Sequence, residues 1–353
     1  MKKIIDIPKK TLSLNLKDVG NLVCEKIDVK PLLPGTVLIK IMRCGICSSD
    51  IERVYINGTY NFPTVIGHEF AGQVVSVYDD ENADLLGKKA AIFPLLPCME
   101  CDACKNEKYP LCSNYNYFGS RCDGGFSEYL VVPIWNLVFF DDISYEEAAL
   151  CEPAAVALHA VKKAKLKSED EVLIIGTGTI GFLIGIFCQK MGAKVLMAGH
   201  RKESLDLAKE YGFIPILNDN NVKETLKMAI GKESVDTVFE VVGNNDAINT
   251  AMGLSSAKIV LVGNPKENVL LEKNNYWRIL RKELDVIGSW NSDFGSIKND
   301  WKDVLEMIMS GEIQLKKLIT KVFNIVDYHE AFELVKSRKF TLKVMINMNK
   351  GEE

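Results

Sequence analysis

The stretch PLLPCMECDACKNEKYPLC, residues 94–112, carries Cys98, Cys101, Cys104 and Cys112 at a C-x2-C-x2-C-x7-C spacing. Thiols this close form a disulfide knot, a metal cage or a reactive cluster. The compartment discriminates among these. The opening MKKIIDIPKKTLSLNLKD has two early lysines, but its apolar stretch breaks at Asp6 and Pro8. No secretion signal is therefore expected, and a cytoplasmic, reducing location is. There, cysteines serve as metal ligands, nucleophiles or core residues. The spacing suits a tetrahedral Zn–S4 cage, which has no open position for substrate and would pin a lobe poor in apolar residues. An iron–sulfur run would place a Cys-Pro soon after the third cysteine, whereas here the fourth cysteine is eight residues on.

A second constellation is dispersed along the chain. Cys47 lies in CGICSSD, His68 and Glu69 in VIGHEF, and Glu152 in LCEPAA. A thiolate, an imidazole and a carboxylate can hold zinc through three ligands and leave a fourth position for substrate. Buried cysteines and histidines are also ordinary core residues, so spacing alone leaves both readings open.

A third signal is LIIGTGTIG, in which Gly176-x-Gly178-x-x-Gly181 follows a strand pattern and opens a helix pattern. In that context the first glycine permits a tight turn and the second lets a pyrophosphate approach the backbone. The third allows close helix packing, and the helix N-terminus faces the phosphates. The next strand should end in an acidic residue that grips the ribose 2′-hydroxyl of NAD. KVLMAGHRK instead places Gly199 there, followed by His200 and Arg201. A small residue beside a guanidinium accommodates a 2′-phosphate, which favours NADP(H) over NAD(H).

The elements that must position these groups fall into two textures. Residues 20–95 are β-rich, with TVLIKIMRCGIC and FAGQVVSVY between turn signals, and GGFSEYLVVP returns to strand after the cysteine stretch. After about residue 150, strand and helix patterns alternate through EVLIIG, TIGFLIGIFCQKMG, KVLMAG and KESLDLAKEYG, which indicates a doubly wound parallel sheet. Beyond about 291 the chain reads as amphipathic helices and a last strand, FTLKVMINM. A net charge of -4 argues against a nucleic-acid surface. The uncharged run from Val172 to Cys188 is short for a membrane span and is broken by the glycine loop, so no membrane association is expected.

GHEFAGQVV around His68, the four-cysteine lobe and GTGTIG, in this order, resemble the zinc-containing medium-chain alcohol and polyol dehydrogenases. Through PLLPC, YFGSRCDGGFSEYLVV, EPAAVALHA and ILRKELDVIGSW, the chain resembles members acting on phosphorylated sugar alcohols. The resemblance covers essentially the whole chain. It implies an α/β protein with a GroES-like β-barrel catalytic domain, residues 1–153 and 291–353, and a Rossmann cofactor domain, residues 154–290. It implies a catalytic zinc on Cys47, His68 and Glu152, with Glu69 as a neighbour or exchanging ligand, and a structural zinc on Cys98, Cys101, Cys104 and Cys112. Ser49 would hydrogen-bond the reacting oxygen, and Asp50 would orient His68. Thr179, Ile180, Val262, Gly263 and Ser289 would join the glycine loop and residues 199–201 around the NAD(P). The chain would be a homodimer or homotetramer acting on a polyol or polyol phosphate, with Arg121, Arg281 and Lys282 as candidates to clamp a phosphate. Two departures stand out: Gly199 replaces the usual acidic residue, and Glu52 lies where some relatives carry a relay histidine. Cys24, Cys44, Cys122, Cys151 and Cys188 match no ligand position, so buried thiols are expected there.

Overall fold

Strands dominate one part of the chain because β-branched residues alternate with polar ones, and Thr36–Ile46 is its central example. In the computed structural model, which describes residues 8–337 and 339–349, this strand has Ile39, Ile41 and Cys44 fully buried. It lies inside a seven-stranded sheet. The path runs Leu137–Phe140, Lys89–Ile92, Glu69–Val77, Thr36–Ile46, Lys343–Asn347, Ile319–Asn324, and Tyr129–Pro133 also pairs with the central strand. Neighbours are antiparallel except the last pair on the path, which is parallel. A smaller sheet, Asn21–Asp28, Lys10–Asp18 and Thr64–Val65, packs into the same core through Leu14, Leu16 and Val65.

Register decides what meets at one end of the large sheet. Gly45 opposes Glu69, and Ile46 opposes Val344. Cys47, one step past the central strand, therefore lies between His68 on one neighbour and Lys343 on the other. No local pattern in the sequence encodes this meeting.

Strand Lys10–Asp18 begins before the region that reads as β-rich from sequence. Its alternation is obscured because Ser13 and Asn15 are buried as well as Leu14 and Leu16. Ser13 is satisfied by Ser127 Oγ at 2.7 Å, and Asn15 Nδ2 donates to Glu25 Oε1 at 2.7 Å, while Asn15 Oδ1 is buried without a partner. Of the five cysteines outside the ligand positions, Cys44, Cys151 and Cys188 are buried and Cys24 and Cys122 are half-buried.

The chain divides into two compact units, Met1–Glu152 with Asp293–Glu353, and Pro153–Ser292. The second is a six-stranded parallel sheet in the order Ile214–Leu217, Lys194–Gly199, Glu171–Ile175, Val235–Glu240, Ser255–Leu261, Asp285–Gly288. In the unit's own sequence order that is 3-2-1-4-5-6, the doubly wound arrangement whose reversal point binds dinucleotides. The uncharged run from Val172 to Cys188 is split between strand Glu171–Ile175 and helix Thr179–Lys190. Among the described residues, no helix is long and apolar enough to cross a membrane.

Candidate active site and metal centres

The four-cysteine lobe folds around a one-turn helix, Asp102–Lys105, that carries Cys104 inward. The four sulfurs lie within 4.8 Å of one another, with Cys101 and Cys104 3.5 Å apart and Cys98 and Cys104 4.0 Å apart. Every cysteine in the chain is free, and these separations exceed a disulfide bond by far. Zn–S bonds of about 2.3 Å in a tetrahedron put sulfurs about 3.8 Å apart, so the quartet fits a closed cage. Glu107, on the same lobe, accepts hydrogen bonds from Ser296 N at 2.7 Å and Ser296 Oγ at 2.8 Å and ties the lobe to the C-terminal segment.

The second centre is built at the sheet end described above. The ligating atoms of Cys47, His68 and Glu69 lie within 4.8 Å of one another, and His68 and Glu69 are buried. A half-buried thiol beside a buried imidazole and a buried carboxylate is a donor set suited to zinc. Glu152, at the start of helix Cys151–Ala164, lies outside that tight group, buried and within electrostatic reach of His68 and Glu69. Burial, with Glu69 adding repulsion, pushes its carboxyl up to about 7, and its Oε1 accepts from Tyr117 OH at 3.2 Å.

The order around His68 is electrostatic. Its Nδ1 faces Asp50 Oδ1 at 3.4 Å without the alignment of a hydrogen bond. Asp50 is fully buried, and its Oδ2 accepts from Cys47 N at 3.0 Å. Burial would raise the Asp50 pKa, but His68 and Arg53 outweigh it and hold the carboxyl below its usual range. For the ring, burial disfavours charge, and Asp50 and Cys47 reverse that balance and raise its pKa well above the usual value. Ser49 Oγ accepts from Arg53 Nη1 at 2.9 Å, and the same nitrogen reaches Asp50 Oδ1 at 3.1 Å.

The glycine loop has the mechanics its sequence requires. Gly176 adopts φ +120°, and a Cβ there would also lie 2.7 Å from Val241. A Cβ at Gly181 would run into the carbonyl of Gly176, so the helix can approach only without a side chain. Gly178 caps helix Thr179–Lys190 and has nothing within 4 Å of its Cβ position, open space where a pyrophosphate could lie. At the tip of the next strand, a Cβ on Gly199 would lie 2.5 Å from the Thr177 side chain. His200 Nε2 lies 3.4 Å from Asn218 Nδ2, and Arg201 begins helix Lys202–Glu210, exposed. At the same sheet end, Glu240 Oε1 accepts from Val242 N and Gly243 N, both at 2.7 Å, and holds the turn next to Gly263. Glu240 Oε2 and Ser289 Oγ are buried without partners, polar atoms that a bound dinucleotide can satisfy.

The family description "Alcohol dehydrogenase GroES-like domain" matches residues 33–142, and "Zinc-binding dehydrogenase" matches residues 179–310. Galactitol 1-phosphate 5-dehydrogenase of Escherichia coli K12 is 33% identical over 290 residues, 80% of this chain and 84% of that protein. The chain belongs to the zinc-dependent medium-chain alcohol and polyol dehydrogenases. Sorbitol dehydrogenase of Bacillus subtilis strain 168 is 28% identical over 98% of this dehydrogenase and 99% of its own length. The crystal structure of galactitol-1-phosphate dehydrogenase from Escherichia coli matches with a TM-score of 0.85 at 29% identity, covering 95% of this chain and 99% of that one. The dehydrogenase is thus an oxidoreductase acting on CH–OH groups, with a GroES-like unit and a Rossmann unit.

Three residues of this dehydrogenase escape a reading of its sequence. Lys343 forms a buried ion pair with Glu69; the signal was a lysine inside the apolar strand KVMIN. Tyr117 packs its ring 5.9 Å from that of His68 and binds Glu152, and nothing in YFGSRC announced it. Arg53 joins Ser49 to Asp50, and its spacing of four from Ser49 was the only hint. Of the residues considered for a phosphate, Arg121 stacks between Tyr60 and Tyr115 at 4.2 and 4.4 Å, and Arg281 stacks on Trp277 at 4.8 Å. Lys282 ends the same helix as Arg281, Lys273–Lys282.

Proposed function

We propose that the dehydrogenase oxidises a secondary hydroxyl of a phosphorylated sugar alcohol, galactitol 1-phosphate to tagatose 6-phosphate, with NADP as the preferred acceptor. The observation that carries the reaction class is the Cys47–His68–Glu69 cluster, its last two members buried, beside Ser49 and Asp50. Similarity to galactitol 1-phosphate 5-dehydrogenase supports the substrate, and the Gly199-His200-Arg201 tip supports the cofactor.

When bound, zinc polarises a hydroxyl and lowers its pKa, and the nicotinamide takes up hydride. Cys47, His68 and Glu152 would hold that zinc, with Glu69 as an exchanging neighbour. Cys98, Cys101, Cys104 and Cys112 would hold the structural one. Asp50 keeps the His68 ring oriented, as ligating histidines require. Ser49 Oγ takes the proton that the alcohol gives up while its own hydroxyl hydrogen passes to solvent water. Gly176, Gly178 and Gly181 receive the pyrophosphate, with Thr179, Ile180, Val262, Gly263 and Ser289 beside it. Arg201, with His200, pairs with the 2′-phosphate. Arg121, held flat between two tyrosines, is the phosphate clamp proposed within the GroES-like unit.

A second reading, an unphosphorylated polyol or diol, is favoured by the nearly full-length match to sorbitol dehydrogenase. The exposed edge strand Asp285–Gly288, with Val286 43% exposed, supports a homo-oligomer. Rates on galactitol 1-phosphate, sorbitol 6-phosphate, sorbitol and 2,3-butanediol, each with NAD and NADP, test the proposal. Highest kcat/KM on a phosphorylated alcohol with NADP is expected. Activity confined to unphosphorylated alcohols would overturn the substrate, and a tenfold preference for NAD would overturn the cofactor.

A further inference from the structure

The guanidinium of Arg53 touches both the hydroxyl proposed to take the substrate's proton and the carboxylate that faces His68. Its Nη1 lies 2.9 Å from Ser49 Oγ and 3.1 Å from Asp50 Oδ1. Backbone geometry puts it there. Cys47 precedes the short helix Ser48–Glu52, and Arg53 opens the π-helical turn Arg53–Asn57 that follows. Residues four apart share a face, so Arg53 folds back over Ser49. The π-turn closes at Gly58, whose N–H bonds Arg53 O at 3.0 Å and fixes the backbone from which the arginine projects. The side chain is 21% exposed, so the contacts are largely shielded from water.

The chemistry of the two groups limits what this contact can do. Arginine only donates and stays charged, while a serine hydroxyl has one hydrogen and two acceptor positions. Ser49 must therefore accept from Arg53. Its own hydrogen points elsewhere, and one acceptor position remains for an incoming proton. Arg53 cannot carry that proton onward, because it has no basic site. What it supplies is orientation and a fixed positive charge beside Ser49 Oγ, which favours release of the hydroxyl's own hydrogen as the new one arrives. Such a charge is worth most where water is excluded. It also draws Asp50 into the same arrangement, so one side chain couples the hydroxyl to the carboxylate behind the metal-binding ring.

We propose that Arg53 is the positioning residue of the proton-transfer step, holding the Ser49 hydroxyl so that Oγ takes up the alcohol's proton as its own hydrogen passes to solvent water. The proposal rests on the reading of Ser49 as proton acceptor, and its test separates the two. Arg53→Met, Arg53→Lys, Ser49→Ala and the double variant Arg53→Met/Ser49→Ala are assayed with whichever of the four panel alcohols is oxidised fastest, and zinc per chain is measured for each. Arg53→Met should lower kcat by about tenfold to a hundredfold, the usual cost of losing a partner of this kind. Two zinc ions per chain should remain, and KM for the dinucleotide should stay within about twofold, since that site is untouched. Arg53→Lys should recover part of the loss, and added guanidinium should restore turnover to a fifth variant, Arg53→Ala, which leaves room for it. The effect of Arg53→Met should nearly vanish when Ser49 is already alanine. A full-sized effect in the Ser49→Ala background, or a loss of zinc parallel to the loss of rate, would overturn the role of Arg53 alone. Undiminished turnover by Ser49→Ala would overturn the reading of Ser49 and this proposal with it.

Discussion

Lys343 Nζ lies 2.7 and 2.5 Å from the two carboxylate oxygens of Glu69, and both side chains are almost completely buried. Lys343 Nζ also lies 3.4 Å from Ile46 O. Burial works against its charge, but Glu69 and the nearby Cys47 and Glu152 outweigh it and raise its pKa. Gly45 makes the room, because a Cβ there would strike Glu69 and lie 3.1 Å from Lys343 Cδ. Glu69 therefore sits beside Cys47 and His68 with its charge already answered.

Removing one partner should leave a buried, uncompensated charge. Lys343→Met is expected to cost about 3–5 kcal/mol of stability, whereas Lys343→Met/Glu69→Gln should recover most of it. Denaturant unfolding of the two variants measures this. Equal losses in both would show that the pair is not a unit.

Cys47→Ala and His68→Ala should each abolish turnover and reduce zinc from two ions per chain to one, with cooperative unfolding retained. Cys98→Ala should behave differently, with stability falling before the rate per folded molecule does. Metal analysis beside thermal unfolding separates these outcomes, and an exchange of the two phenotypes would reverse the assignment of the two sites.

In protein stripped of metal, the four thiols are not equivalent. Hydrogen bonds from Cys104 and Ser113 backbone hold the Cys101 thiol down at about 6, and burial pushes Cys104 up to about 12. At pH 7.5 Cys101 is then mostly thiolate and Cys104 is thiol, and only the thiolate alkylates. Iodoacetamide followed by peptide mass analysis should mark Cys101 well before Cys104. Restored zinc should protect both.

Arg201→Ala should raise KM for NADP by about tenfold to a hundredfold, the range expected for lost charge-assisted hydrogen bonds. KM for NAD should change less than about twofold. Gly199→Asp should impair both cofactors, because the new side chain meets Thr177 before it reaches a ribose. Initial rates over a concentration series of each dinucleotide decide between these outcomes. An equal rise in both KM values for Arg201→Ala would remove the 2′-phosphate contact.

What could be read directly from the sequence is what short-range geometry controls. The four-cysteine lobe spans residues 98–112, so its closeness in space follows from its closeness along the chain. The glycine loop was legible because a turn between strand and helix restricts residue type at each step, and the alternation after residue 150 carried the parallel sheet. Strand Lys10–Asp18 was obscured because polar Ser13 and Asn15 are buried beside Leu14 and Leu16, and Ser13 finds its partner, Ser127, far along the chain. Through resemblance the sequence also named Cys47, His68, Glu69 and Glu152, but not their arrangement.

That arrangement was decided by tertiary structure. Lys343 is 274 residues from Glu69, and only the pairing of Ile46 with Val344 and Gly45 with Glu69 brings them together. Alternation tells which face of a strand a residue occupies, not which strand lies beside it. The same limit hid Tyr117 beside His68. Arg53 was hidden for a nearer reason: whether a long side chain folds back on Ser49 or extends into water depends on the π-turn and on the buried Asp50 that attracts it.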